Sequence, residues 1–107
     1  MADDMTGVSD AFKAFLTEAP QHAQAWMAAV QALDGASALD EKTGALAYLA
    51  VLAVLRLESG VHFHVQAAKR AGASRQEVIS AVLIGLPAAG NAVTQSLPAA
   101  LAAYDAE

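Results

Sequence analysis

The chain has 107 residues, with 11 acidic and 6 basic side chains, a net charge of −5 and no cysteine. An apolar fraction of 56% excludes a disordered chain, and the missing cysteines exclude disulfides, thiolate nucleophiles and thiolate metal sites. The acidic balance argues against nucleic acid as a partner, because phosphate binding needs clustered Lys and Arg. At this length a single domain over 1–107 is expected. A folded monomer of this size buries roughly 65% of its unfolded surface. Alanine supplies 28 of the residues. It is the best helix former but adds little buried area, so the core should be thin and a homo-oligomer is expected.

Strand signals are nearly absent and helix punctuation is frequent, so the fold class is all-α. Met1 to Asp10 carries three Asp and no cationic stretch, which does not read as a secretory signal. Ser9 or Asp10 is placed to cap a short helix through Leu16. Pro20 suits the first turn of the next, which runs toward Leu33 and stops near Gly35. Within it Trp26, Met27, Val30 and Leu33 recur at helical spacing.

Asp40, with Thr43 three residues on, is the next N-cap. The eleven apolar residues Ala45–Leu55 form the longest such run, and a membrane span needs roughly 20. The run therefore predicts a central, fully surrounded helix, with no membrane partner and a cytoplasmic location. Ser59-Gly60 allows a turn, or a bend in one continuous helix. Periodicity returns over Val61–Ala71, with Gly72 as the residue closing that helix. Ser74-Arg75-Gln76-Glu77 has the capping-box spacing ahead of an apolar run that lasts to Pro87. A last helical stretch covers about 88–104, with Pro98 kinking or restarting it.

Arg56-Leu57-Glu58-Ser59-Gly60-Val61-His62-Phe63-His64 holds two of the three histidines. On a continuous helix Glu58 and His62, four apart, share a face, and a carboxylate holding an imidazole orients a general base. The plainer alternative is an exposed pair of little energetic weight. His64 lies roughly 200° from His62 around a helix, so the two cannot chelate one ion. As metal ligands Glu58 and His62 are too few without His22 from another helix, so no metal and no cofactor is expected. His64 alone is by default a hydrogen-bonded core or interface histidine, and Trp26 and Tyr48 are by default core aromatics. Lys69 and Arg70 are by default a solvated helix end. Arg56 could snorkel, pair near Glu58, or bind an anionic substrate.

Further motifs are Leu39-Asp40-Glu41-Lys42-Thr43, His64-Val65-Gln66-Ala67-Ala68, the run from Ala71 to Val78, and Gly85-Leu86-Pro87-Ala88-Ala89. With their spacing, the chain from about 12 to 101 resembles the carboxymuconolactone decarboxylase family, which includes the alkylhydroperoxidase D-like proteins. The resemblance implies a bundle of about five to six helices, with a central buried helix followed by the His-bearing one, assembled as a homotrimer or homohexamer. In the peroxidase branch the family's two cysteines would fall at Leu57 and Gly60 and its relay Glu at Ala45, so only His64 carries over. A dithiol cycle cannot run here. The decarboxylase branch needs no cysteine pair. It implies acid–base chemistry on a small organic acid or lactone, with His64 or His62 as proton donor, Glu58 as orienter and Arg56 as anion clamp. A peroxiredoxin-like antioxidant role by ancestry, and a non-catalytic helical oligomer, are the alternatives.

Overall fold

A computed structural model describes residues 8–106 of the chain; the segment 1–7, on which the reading of the N-terminus rests, lies outside them, as does 107. Seven α-helices follow one another, with no strand among the described residues. They are α1 (Asp10–Glu18), α2 (Pro20–Ala36), α3 (Glu41–Leu55), α4 (Val61–Arg70), α5 (Arg75–Leu83), the four-residue α6 (Leu86–Ala89) and α7 (Leu97–Asp105). None is long and apolar enough to cross a membrane.

The helix starts follow their caps. Ser9 accepts from the Phe12 amide at 3.1 Å, and Asp40 from the Thr43 amide at 2.8 Å. At α5 the capping box closes both ways: Ser74 accepts from the Glu77 amide, and the Glu77 carboxylate accepts from the Ser74 amide. These amide bonds hold the Asp40 and Glu77 carboxyls below their ordinary range, with Lys42 adding to the effect on Glu77. Lys42 reaches Glu77 at 3.0 Å and so ties the start of α3 to the start of α5. At the end of α4, Gly72 has φ +100, and the Gly72 and Ala73 amides return to the Lys69 and Ala68 carbonyls. This is a Schellman turn, in which only glycine sits without strain.

The core is formed by α3, α4, α5 and α7, with the 3₁₀ segment Asn91–Ser96 closing one side. Helix α3 packs on α4 and α5, and α7 packs on the same two. The fully buried apolar side chains are small: apart from Leu49 and Leu52 they are valines and alanines, such as Val61, Val65, Val78, Val82, Val93, Ala100 and Ala103. The thin core expected from composition is thus observed. A polar clamp fixes α7. Tyr104 donates to the Ala73 carbonyl, Arg75 grips Asp105 through two hydrogen bonds, and Gln66 donates to the Ala103 carbonyl. Lys69 donates to the Tyr104 and Ala106 carbonyls at the helix C-terminus, where a cation is favoured, rather than serving as a solvated end.

Three expectations are corrected. Helix α3 is not surrounded: Tyr48, Val51, Val54 and Leu55 are exposed on the face opposite Leu49, Leu52 and Ala53. Periodicity marks an apolar face but not what covers it. For the same reason neither Trp26 nor Tyr48 is a core aromatic. The last helical stretch is broken at Gly90, whose φ of +83 ends α6; Pro98 then sits in the first turn of α7 and restarts the helix. Of the two readings of Ser59-Gly60 the turn holds, so α3 and α4 are separate helices.

Ser96 is 1% exposed, and its hydroxyl has no hydrogen-bond partner. Burying an unpaired hydroxyl costs about 1–3 kcal/mol, so Ser96→Ala should raise unfolding free energy by about 1 kcal/mol. Urea denaturation checks this, and a loss of stability would show that the hydroxyl contributes a favourable interaction.

Candidate functional site

The site begins where α3 ends. Arg56 has φ 59, the one positive φ of a non-glycine residue among the described residues. Its amide and that of Leu57 return to the Ala53 and Leu52 carbonyls, so the chain reverses in a Schellman pattern with arginine in the left-handed position. A 3₁₀ turn, Glu58–Gly60, then leads into α4, which runs back against α3.

The reversal brings His64 onto Tyr48. Their rings are stacked, with centroids 4.3 Å apart and 16° between planes, and the Phe63 ring meets His64 edge-on at 5.2 Å. Gly60 lies beneath: a Cβ there would stand 3.8 Å from His64 Cδ2. The imidazole is partly buried, and this desolvation lowers its pKa, favouring the uncharged ring. No hydrogen bond to its nitrogens is present, yet neither nitrogen is among the sealed-off polar atoms. The ring is therefore held by its stack on Tyr48 while its nitrogens stay open to a ligand. His64 is not the hydrogen-bonded histidine expected by default.

The other candidates are placed less favourably. Glu58 stands on the exposed 3₁₀ turn that leads into α4, and neither a hydrogen bond nor an ion pair joins it to His62. The ion pairs among the described residues join Lys42 to Glu77 and Arg75 to Asp105, not Glu58 to His62. His62 is partly buried on α4, and Arg56 is exposed at the turn. No group of three or more metal-ligating side chains converges among the described residues. A cleft of ≈ 430 Å³ lies between α1 and α2, lined by Leu16, Pro20, Ala23, Met27 and their neighbours. It holds none of these residues and no titratable group. Sequence reasoning passed over Tyr48 and Phe63. The signal for Tyr48 was its phenol, the one polar group in the run Ala45–Leu55.

Residues 20–103 match the model of the carboxymuconolactone decarboxylase family. The chain belongs to the carboxymuconolactone decarboxylase family. No curated protein and no solved structure matches it. This member of the family is cysteine-free, and the turn between α3 and α4 carries Leu57 and Gly60 in place of any thiol.

Two outcomes follow from this geometry. A non-glycine residue in the left-handed region costs about 1–2 kcal/mol, so Arg56→Gly should raise stability by about 1 kcal/mol while Arg56→Ala leaves it near wild type. Denaturant midpoints for the two variants decide the matter. Because burial lowers the folded-state pKa of His64, the unfolded chain holds that proton more tightly. Stability is then fully present above the ordinary histidine value of about 6.5 and falls as pH drops through it. In His64→Gln the slope between about pH 6.5 and 5 should flatten, above the range in which the carboxylates titrate. An unchanged slope would reject burial of the imidazole.

Proposed function

We propose that this chain carries out acid–base chemistry of the decarboxylase kind on a small organic acid or lactone, with His64 as the group that moves the proton. The observation that carries this reading is the His64 imidazole stacked on Tyr48 and met edge-on by Phe63, with its nitrogens unpartnered. Family membership and the lack of any cysteine support it, since a dithiol peroxidase cycle has no residues to run on.

Loss of carbon dioxide breaks a carbon–carbon bond and leaves the electron pair on carbon, delocalised into a conjugated carbonyl. A proton must then be delivered to that carbon. His64, once protonated from water, gives up this proton readily because its partly buried site disfavours the imidazolium. Arg56, exposed beside the turn, supplies a cation for a substrate carboxylate. Glu58 and His62 keep the roles of orienter and alternative donor in this reading.

The test is turnover of an unsaturated lactone bearing carboxylates, followed by carbon dioxide release. His64→Gln should lower kcat by about 10²–10⁴-fold, the usual worth of a positioned acid or base. The wild-type rate should climb as pH falls below about 6.5 and then level off. Turnover by His64→Gln at the wild-type rate would remove His64 from the mechanism. An alkyl hydroperoxide with a dithiol reductant should give no turnover, and turnover that His64→Ala abolishes would replace the decarboxylase reading with a peroxidase one.

A second reading, a non-catalytic helical oligomer, is favoured by the position of the α1–α2 cleft, away from His64. Titrating small dicarboxylates while watching the His64 ring protons by NMR separates the two: perturbed resonances support a substrate site, and silent ones support the oligomer.

A further inference from the structure

The rings around His64 keep much of their own surface uncovered. Tyr48, which carries the stacked imidazole, is 51% exposed, and Phe63 is 41% exposed. On α3, Val51 and Leu55 stand at i+3 and i+7 from Tyr48, on the same face, and are exposed too. The run Ala45–Leu55 holds no charge. Charge near His64 along the chain is confined to the turn, where Arg56 and Glu58 are both exposed. The other cations are engaged or distant. Lys42 is held by Glu77, Arg75 by Asp105, and Lys69 by the Tyr104 and Ala106 carbonyls. Arg70 ends α4, and Lys13 stands on α1.

We infer that the substrate of this site is a planar, mainly apolar acid with a single carboxylate, its flat body laid on Tyr48 and Phe63 and its carboxylate turned to Arg56. The inference narrows the class of small organic acids proposed above and rests, for its chemistry, on that reading. One cation at the turn matches one anionic group. A second carboxylate on the same ligand would meet the uncharged α3 face, where it loses hydration without compensation, or Glu58, which repels it. A flat conjugated body suits the rings instead, because aromatic surfaces stack with an offset or meet edge-on, and both rings offer such surface. An apolar lining with a few placed polar groups is the ordinary form of a small-molecule site. The cleft between α1 and α2 is the rival apolar seat, but no cation lines it. Its two helices pack on one another and have only marginal contact with the remaining elements, so the hairpin is an arm that holds the cleft away from His64.

Three ligands on one frame test this. Cinnamate carries a phenyl ring and one carboxylate, fumarate replaces the ring with a second carboxylate, and cinnamamide keeps the ring without the charge. Each is titrated at neutral pH while the ring protons of His64, Tyr48 and Phe63 are followed by NMR. Cinnamate should shift all three sets saturably, and fumarate should bind about tenfold more weakly. Cinnamamide should bind about 2–5-fold more weakly, the worth of one exposed ion pair. Arg56→Gln should bring cinnamate to the level of cinnamamide and leave cinnamamide unchanged. Tyr48→Leu should weaken cinnamate about fivefold, whereas Tyr48→Phe, which keeps the ring, should hold it as the wild type does. Fumarate bound as tightly as cinnamate overturns the inference. So does cinnamate that never saturates, or that moves the Met27 methyl of the α1–α2 cleft and not the His64 ring. Should Tyr48→Leu misfold, the ligand series on the wild type decides alone. The reading on which the inference rests fails separately. Cinnamate seated at His64 together with undiminished turnover in His64→Gln keeps the seat and removes the proton transfer. A preference for fumarate together with turnover lost in His64→Gln does the reverse.

Discussion

The reversal at Arg56 is the constraint on which the candidate site depends. Along one continuous helix, sixteen residues would separate Tyr48 and His64 by about 24 Å. The left-handed residue and the 3₁₀ turn after it fold α4 back along α3, and the ring centroids come to 4.3 Å. That stacking partly desolvates His64, and the desolvation in turn biases the imidazole toward its uncharged form. Strain at one backbone position is thus coupled, through a packing contact, to the proton affinity of a side chain eight residues further on. A residue held in a rarely populated conformation beside the candidate chemistry is also where stored strain is most often found to matter.

The turn also explains how a member of this family can stand without sulfur. The resemblance places the cysteine positions of the peroxidase branch at Leu57 and Gly60, on either side of Glu58-Ser59. Here Leu57 is exposed, and Gly60 lies beneath the imidazole, 3.8 Å from Cδ2 by the position its Cβ would take. The segment where the resemblance would place a dithiol instead supports the face of an imidazole. Glu58 and Arg56, both on the exposed side of the same turn, put one negative and one positive charge within reach of whatever approaches it.

What could be read from the sequence was what is encoded locally. Asp40 with Thr43, Ser74 with Glu77, and Gly72 each act within one turn of chain, and each formed as its spacing implied. Arg56 as the left-handed residue was not legible, because arginine has no intrinsic preference for that region and the surrounding packing imposes it. The Glu58–His62 pair failed for a related reason: spacing of four is meaningful only on an unbroken helix, and the helix starts after Glu58. The Tyr48–His64 stack joins residues sixteen apart, beyond any helical period. Lys69 was misjudged because its partners, the Tyr104 and Ala106 carbonyls, lie at the far end of the chain.

The distribution of side-chain size is inverted with respect to an ordinary monomer. Valine and alanine fill the interior, while Trp26, Leu33, Tyr48, Leu55, Phe63 and Ile84 are outside. The radius of gyration, 14.2 Å, exceeds the roughly 13 Å of a compact chain of this length, as an arm held off the bundle requires. Small interior residues let the four core helices approach closely but remove little surface from water. The larger side chains, each worth about 1.5–3 kcal/mol when fully buried, contribute little while they stay exposed. The alanine-rich core and the uncovered faces of α2 and α3 are therefore one feature seen twice: the side chains that would thicken the core stand outside it.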